Sequence, residues 1–123
     1  MNDIKLSRRA ALIAGVALLA TTLPATAQGT GPAMHVLKDP NCGCCTDWIK
    51  IVEKAGFRVT TELSAGDALM RFKTQGGIPE AMMSCHTARI EGYLLEGHVP
   101  VADIRRLLDE RPDAIGLAVP GMP

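Results

Sequence analysis

The chain has 123 residues with 13 basic and 13 acidic side chains, and only four aromatics: one Trp, one Tyr and two Phe. With no basic stripe and little to stack bases on, the composition argues against nucleic-acid binding. The length is that of one small domain.

The opening stretch, MNDIKLSRRAALIAGVALLATTLPATAQG, has the layout of an export signal. Lys5, Arg8 and Arg9 form a positive start, and Ala10 to Leu23 is an apolar run too short to span a bilayer comfortably. Ala25-Thr26-Ala27 supplies the small-residue cleavage site. The expectation is a signal peptide over residues 1–27 and a periplasmic protein beginning near Gln28, free of the membrane after cleavage. Arg8-Arg9 also suits twin-arginine export. Without residues 1–27, the remaining 96 residues carry 10 basic and 12 acidic side chains, a net charge of −2. All four cysteines lie in this part. In an oxidising compartment, thiols persist only when metal-bound or kept reduced.

Residues 28–33, rich in Gly and Pro, read as a flexible lead-in to one domain over 34–123. MHVLKD (34–39) is a short apolar strand, and Pro40-Asn41 a loop. From Cys45 to Ala55, Trp48, Ile49, Val52 and Ala55 recur at helical spacing, and Gly56 stops the helix. FRVTTEL (57–63) alternates as a strand. Ser64 with Asp67 reads as a capping box for a helix through Thr74, ended by Gly76-Gly77. ARIEGYLLEG (88–97) reads as a hairpin turning at Glu91-Gly92. Pro100 opens a last helix running to about Glu110, and DAIGLAVPGMP reads as a loose tail. The resulting order, β-α-β-α-β-β-α, is that of a small thioredoxin-like α/β domain with a mixed sheet.

The chemistry gathers at DPNCGCCTDWIK (39–50), where the first strand passes into the first helix. Unpaired N–H groups at a helix start favour thiolate, which is both metal ligand and nucleophile. Cys42 and Cys45 form the C-x-x-C spacing of a redox disulfide; Cys42 and Cys44 form a C-x-C pair suited to a soft metal. Three adjacent thiolates repel unless a cation or protons neutralise them. Cu(I) tolerates two or three sulfur ligands with imidazole support, whereas Zn(II) would want a closed tetrahedral set including Cys85 or His86. A thiol–disulfide oxidoreductase using Cys42 as nucleophile and Cys45 as resolving thiol is the alternative, with Cys44 competing for each mixed disulfide. Two inert disulfides are a third reading, in which a strained Cys44–Cys45 bridge is the least favourable pairing.

Cys85 is expected to begin the strand that starts beside the helix mouth, and so to face the cluster. Its neighbour His86 would then point to the opposite face of a regular strand, unless the segment is irregular. His98, in EGHVP, is a further candidate ligand from the loop before the last helix. His35 reads as a surface residue, Trp48 and Met70 as core, and Met82 and Met83 as packing. No serine triad, paired-carboxylate arrangement or phosphate loop is present, so catalysis has thin support.

DPNCGCCTDWI, SCHTARIEGYLLEGHVP, ADIRRLL and GLAVPGMP together closely resemble a small exported metal-binding family. That family was long known only as a domain of unknown function, and it includes the CopG copper-resistance proteins. The resemblance covers nearly all of residues 34–123. It implies a thioredoxin-like fold and copper binding by the Cys42, Cys44 and Cys45 cluster, with help from Ser84-Cys85-His86-Thr87. The candidate ligands are thus Cys42, Cys44, Cys45, Cys85, His86 and His98. The expected cargo is copper as Cu(I) rather than zinc, exchanged with other periplasmic copper-handling proteins.

Overall fold

The computed structural model describes residues 29–121. The expected signal peptide and Met122 lie outside the described residues. The elements are β1 (Ala33–Lys38), α1 (Gly43–Lys54), β2 (Arg58–Leu63), α2 (Gly66–Gln75), a 3-10 turn (Glu80–Met82), β3 (His86–Ile90), β4 (Tyr93–Glu96), α3 (Val101–Glu110) and β5 (Gly116–Ala118). The α/β class and the β-α-β-α-β-β-α order are as the sequence predicts, with one strand added in the tail.

The five strands form a mixed sheet in the order β2-β1-β3-β4-β5. β1 runs parallel to β2 and antiparallel to β3, β3 is antiparallel to β4, and β4 is parallel to β5. β1 is flanked on both sides, and Val36, Leu37 and Lys38 near its end are all buried. Partners across a ladder share a face. Met34, Val36 and Lys38 therefore lie on the same side as Ile90, Ala88 and His86. That side carries the core, where Trp48, Ile49 and Val52 of α1 meet Ile104 and Leu107 of α3. Full burial of a side chain such as Ile104 stabilises the fold by roughly 1.5–3 kcal/mol. On the opposite face, α2 places Phe72 under Arg89 and sends Lys73 to Thr87 and Glu96.

Local chemistry accounts for the joints. α1 ends at Gly56, whose φ of +101° suits a residue without a Cβ. The β3–β4 hairpin turns through Glu91 (φ 44°) and Gly92 (φ 90°), the double positive φ of a type I′ turn. Among the described residues, no helix is long and apolar enough to cross a membrane.

Away from the cysteine cluster four expectations fail, the first being Met82, read as packing but 45% exposed. The Ser64–Asp67 capping box does not form: α2 starts one residue later with Ala65 at its N-cap, because the Ser64 N–H is already bonded to Lys38 O, 2.9 Å away. Met70 is exposed while its neighbour Leu69 is buried, since the buried stripe of α2 runs through Leu69 and Lys73. The tail is not loose: Gly116–Ala118 pairs with Leu94–Glu96, and Gly121 bridges to Ser84.

Candidate metal centre

The loop from β1 into α1 is folded by Asp39. Its carboxylate accepts the Asn41 N–H at 2.8 Å, and its carbonyl accepts the Cys42 N–H at 3.1 Å. This turn sets Cys42 at the N-cap of α1 with extended backbone, and no side chain caps the helix. The first amides of α1 are therefore left without a side-chain acceptor. Cys45 is fully buried on the core side of the helix, and Cys42 and Cys44 are half-buried at its mouth. Cys42 and Cys45 are joined as a disulfide with their Cα atoms 5.5 Å apart; Cys44 and Cys85 are free. The Cys44 sulfur lies 3.4 Å from that of Cys42.

Cys85 does not begin a strand. It occupies a bend between the Ser84–Gly121 bridge and the first residue of β3, His86. Strand alternation consequently does not separate the two neighbours, and the Cys85 sulfur stands 3.4 Å from His86 Nδ1. Burial raises the Cys85 pKa and the nearby Cys44 adds to the effect, against a hydrogen bond from the Ser84 hydroxyl.

His86 is wholly buried. Its ring centroid lies 4.4 Å from that of Trp48 and 5.3 Å from that of His98. Trp48, expected to be core without a stacking role, thus packs on a candidate ligand while its indole N–H donates to Val99 O at 2.9 Å. Burial drives the His86 pKa down to about 3, and repulsion from a second proton charge nearby and from Lys73 adds to the effect. The imidazole is held neutral, the form that binds metals. The Nε2 atoms of both His86 and His98 are buried with no hydrogen-bond partner. A buried polar atom left unpaired costs about 1–3 kcal/mol, and two such nitrogens beside four sulfurs form a donor set awaiting an acceptor.

The structure brings all six predicted residues together in two overlapping groups. In one, the sulfurs of Cys42, Cys44, Cys45 and Cys85 lie within 4.8 Å of one another; in the other, the donor atoms of Cys45, Cys85, His86 and His98 do. Cys45 and Cys85 belong to both. These soft sulfurs and imidazole nitrogens fit Cu(I), and reducing the disulfide frees Cys42 and Cys45 to act as thiolates. His35 lies elsewhere, in β1, paired with Glu62 at 3.2 Å.

Sequence reasoning missed the polar layer behind the site. Lys73, Thr87 and Glu96 are buried on the α2 face. One Glu96 carboxylate oxygen accepts from Lys73 and from the Ser84 N–H at 2.7 Å, and the other accepts from Thr87. The Gly97 N–H donates to His86 O at 3.0 Å. Glu96 and Gly97 thus tie the chain before His98 to the segment bearing Cys85 and His86. Their signal was weak, because an isolated Lys or Glu in a helix or strand ordinarily reads as solvated.

A family described as "Protein of unknown function, DUF411" matches residues 82–123. Two solved structures, named "Copper resistance protein copG- Form 1" and "Copper resistance protein copG- Form 2", are each 51% identical to this chain with a TM-score of 0.69. The matches cover 76% and 75% of this chain, and 73% and 72% of those chains, respectively. No curated protein matches. Such identity over three-quarters of both chains is the expectation drawn from the cysteine and SCHT motifs, and this chain belongs to the DUF411 family that includes the CopG copper-resistance proteins.

Proposed function

We propose that this protein binds Cu(I) in the periplasm, sequestering or relaying it, and so contributes to copper tolerance. In this reading Cys42, Cys44, Cys45 and Cys85 are thiolate ligands, and His86 and His98 supply imidazole. The observation that carries it is the convergence of four sulfurs with two buried, unpartnered imidazole nitrogens. The copper-resistance names of the two solved relatives support the choice of metal. A thioredoxin-like scaffold, with β1 between β2 and β3 and the cysteine loop at its end, accounts for the placement of the cluster. Residues 1–27 are proposed to be removed on export, so an intact mass retaining Met1 on exported protein would refute that part.

One observation favours a second reading. The Cys42–Cys45 disulfide is the arrangement that a thiol–disulfide oxidoreductase would cycle. Elemental analysis with a thiol count, on protein from the exported fraction prepared without chelator, separates the two. Copper in stoichiometric amounts supports the first reading. Metal-free protein with a reversible Cys42–Cys45 disulfide supports the second.

A further inference from the structure

Lys38 is only 5% exposed, at the end of β1 and four residues before Cys42. A lysine so covered is ordinarily paired. Among the described residues, its ammonium takes part in none of the ion pairs or side-chain hydrogen bonds. Its strand position is fixed, since Lys38 O accepts the Ser64 N–H and Lys38 stands opposite His86 in the β1–β3 ladder. Ladder partners share a face, so Lys38 lies on the side of the sheet where His86 meets Trp48 and His98. Its charge acts on His86, helping to disfavour the protonated ring.

Lys73, the other buried lysine, behaves differently. It lies on the α2 face and is neutralised by Glu96. Near the candidate ligands, Lys38 is the covered lysine whose ammonium pairs with no carboxylate among the described residues and reaches solvent.

The charge count of the site calls for such a cation. A single Cu(I) held by three thiolates carries a net charge of −2, and by four, −3. Taking that excess negative charge out of water is unfavourable unless a positive group lies nearby.

Resting on the copper reading above, we infer that Lys38 is the built-in counter-charge of the metal–thiolate site. It contributes to Cu(I) affinity without touching the metal. Among the described residues the Lys38 ammonium has no anionic partner, its stem is covered while its nitrogen reaches solvent, and loading thiolate-bound Cu(I) brings a negative charge beside it.

The test compares the parent with Lys38→Met and Lys38→Arg in the full reduced protein, by anaerobic competition titration with a Cu(I) chelator. Thermal unfolding of each metal-free protein is measured alongside. Even at about 10 Å, a unit charge is worth roughly a tenfold change in binding at an effective dielectric constant of about 20. Lys38→Met is therefore expected to weaken Cu(I) binding roughly tenfold or more. Lys38→Arg restores most of it, and metal-free Lys38→Met melts close to the parent because no ion pair is lost. Lys38→Gln takes the place of Lys38→Met if the latter does not fold. Equal Cu(I) affinity in the parent and the neutral variant overturns the role of Lys38 and leaves the copper reading standing. Equal weakening in Lys38→Arg and Lys38→Met, with lowered melting in both, assigns Lys38 to packing and overturns it as well. Failure of the parent itself to hold Cu(I) strikes the copper reading first, and the inference falls with it.

Discussion

The Cys85 sulfur and His86 Nδ1 lie 3.4 Å apart although the two residues are adjacent in the chain. Neighbours in a regular strand project to opposite faces. The bend at Cys85, held by the Ser84–Gly121 bridge on one side and by Glu96 through the Ser84 N–H on the other, lets both reach one site. Cys85→Ala should therefore lower Cu(I) affinity by ten- to a hundredfold, the usual loss for a ligand or its supporting shell. Chelator competition measures this, with far-UV dichroism checking that the fold is retained. A simple C-x-x-C oxidoreductase would tolerate the same change.

Cys44 separates the two chemistries from the other side. Its sulfur lies 3.4 Å from that of Cys42, yet it stands outside the Cys42–Cys45 disulfide. Cys44→Ser is expected to weaken Cu(I) binding and to leave the disulfide free to form, as read by thiol counting under oxidising and reducing conditions. Unchanged copper affinity would count against the four-sulfur site.

His98 predicts an opposition between loading and stability. Its Nε2 is buried without a partner, so the metal-free fold gains nothing from that nitrogen. Replacing a group that makes no hydrogen bond by an apolar one is near neutral or stabilising. His98→Leu should unfold at the same temperature as the metal-free parent or above it, while Cu(I) affinity falls about tenfold or more. Calorimetry on the metal-free proteins, paired with competition titration, reads both effects.

The polar layer should govern stability. Glu96→Ala leaves Lys73 buried and uncompensated, and breaking a buried pair by removing one partner costs about 3–5 kcal/mol. Denaturant unfolding should show a loss of that order. The double variant Glu96→Leu with Lys73→Met should recover much of it, because apolar replacement removes both charges together. A single variant as stable as the parent would contradict the buried pair.

The sequence was most informative where the pattern is local. Trp48, Ile49 and Val52 mark α1 by spacing alone, and Glu91-Gly92 announces its hairpin because few residue pairs adopt two successive positive φ values. The six residues that converge at the loop were also picked out in the sequence by their type. What escaped depends on contacts between distant segments. Gly116–Ala118 becomes a strand only by pairing beside Leu94–Glu96, where a Cβ on Gly116 would collide with the Leu94 backbone. Ser64 can cap α2 in principle, but its N–H is taken by β1, across the β1–β2 ladder. Lys73, Glu96 and Lys38 look like surface charges in the sequence, and only the packed sheet buries them. The ability of Cys85 and His86 to act together likewise rests on a bend that a bridge from the tail helps to set.

X-ray absorption at the copper edge, on reduced protein loaded with Cu(I), tests the central claim most directly. The account predicts a copper shell dominated by sulfur, with an imidazole contribution that diminishes in His98→Leu. A shell of oxygen and nitrogen without sulfur, or copper lost from the protein on buffer exchange, would contradict it.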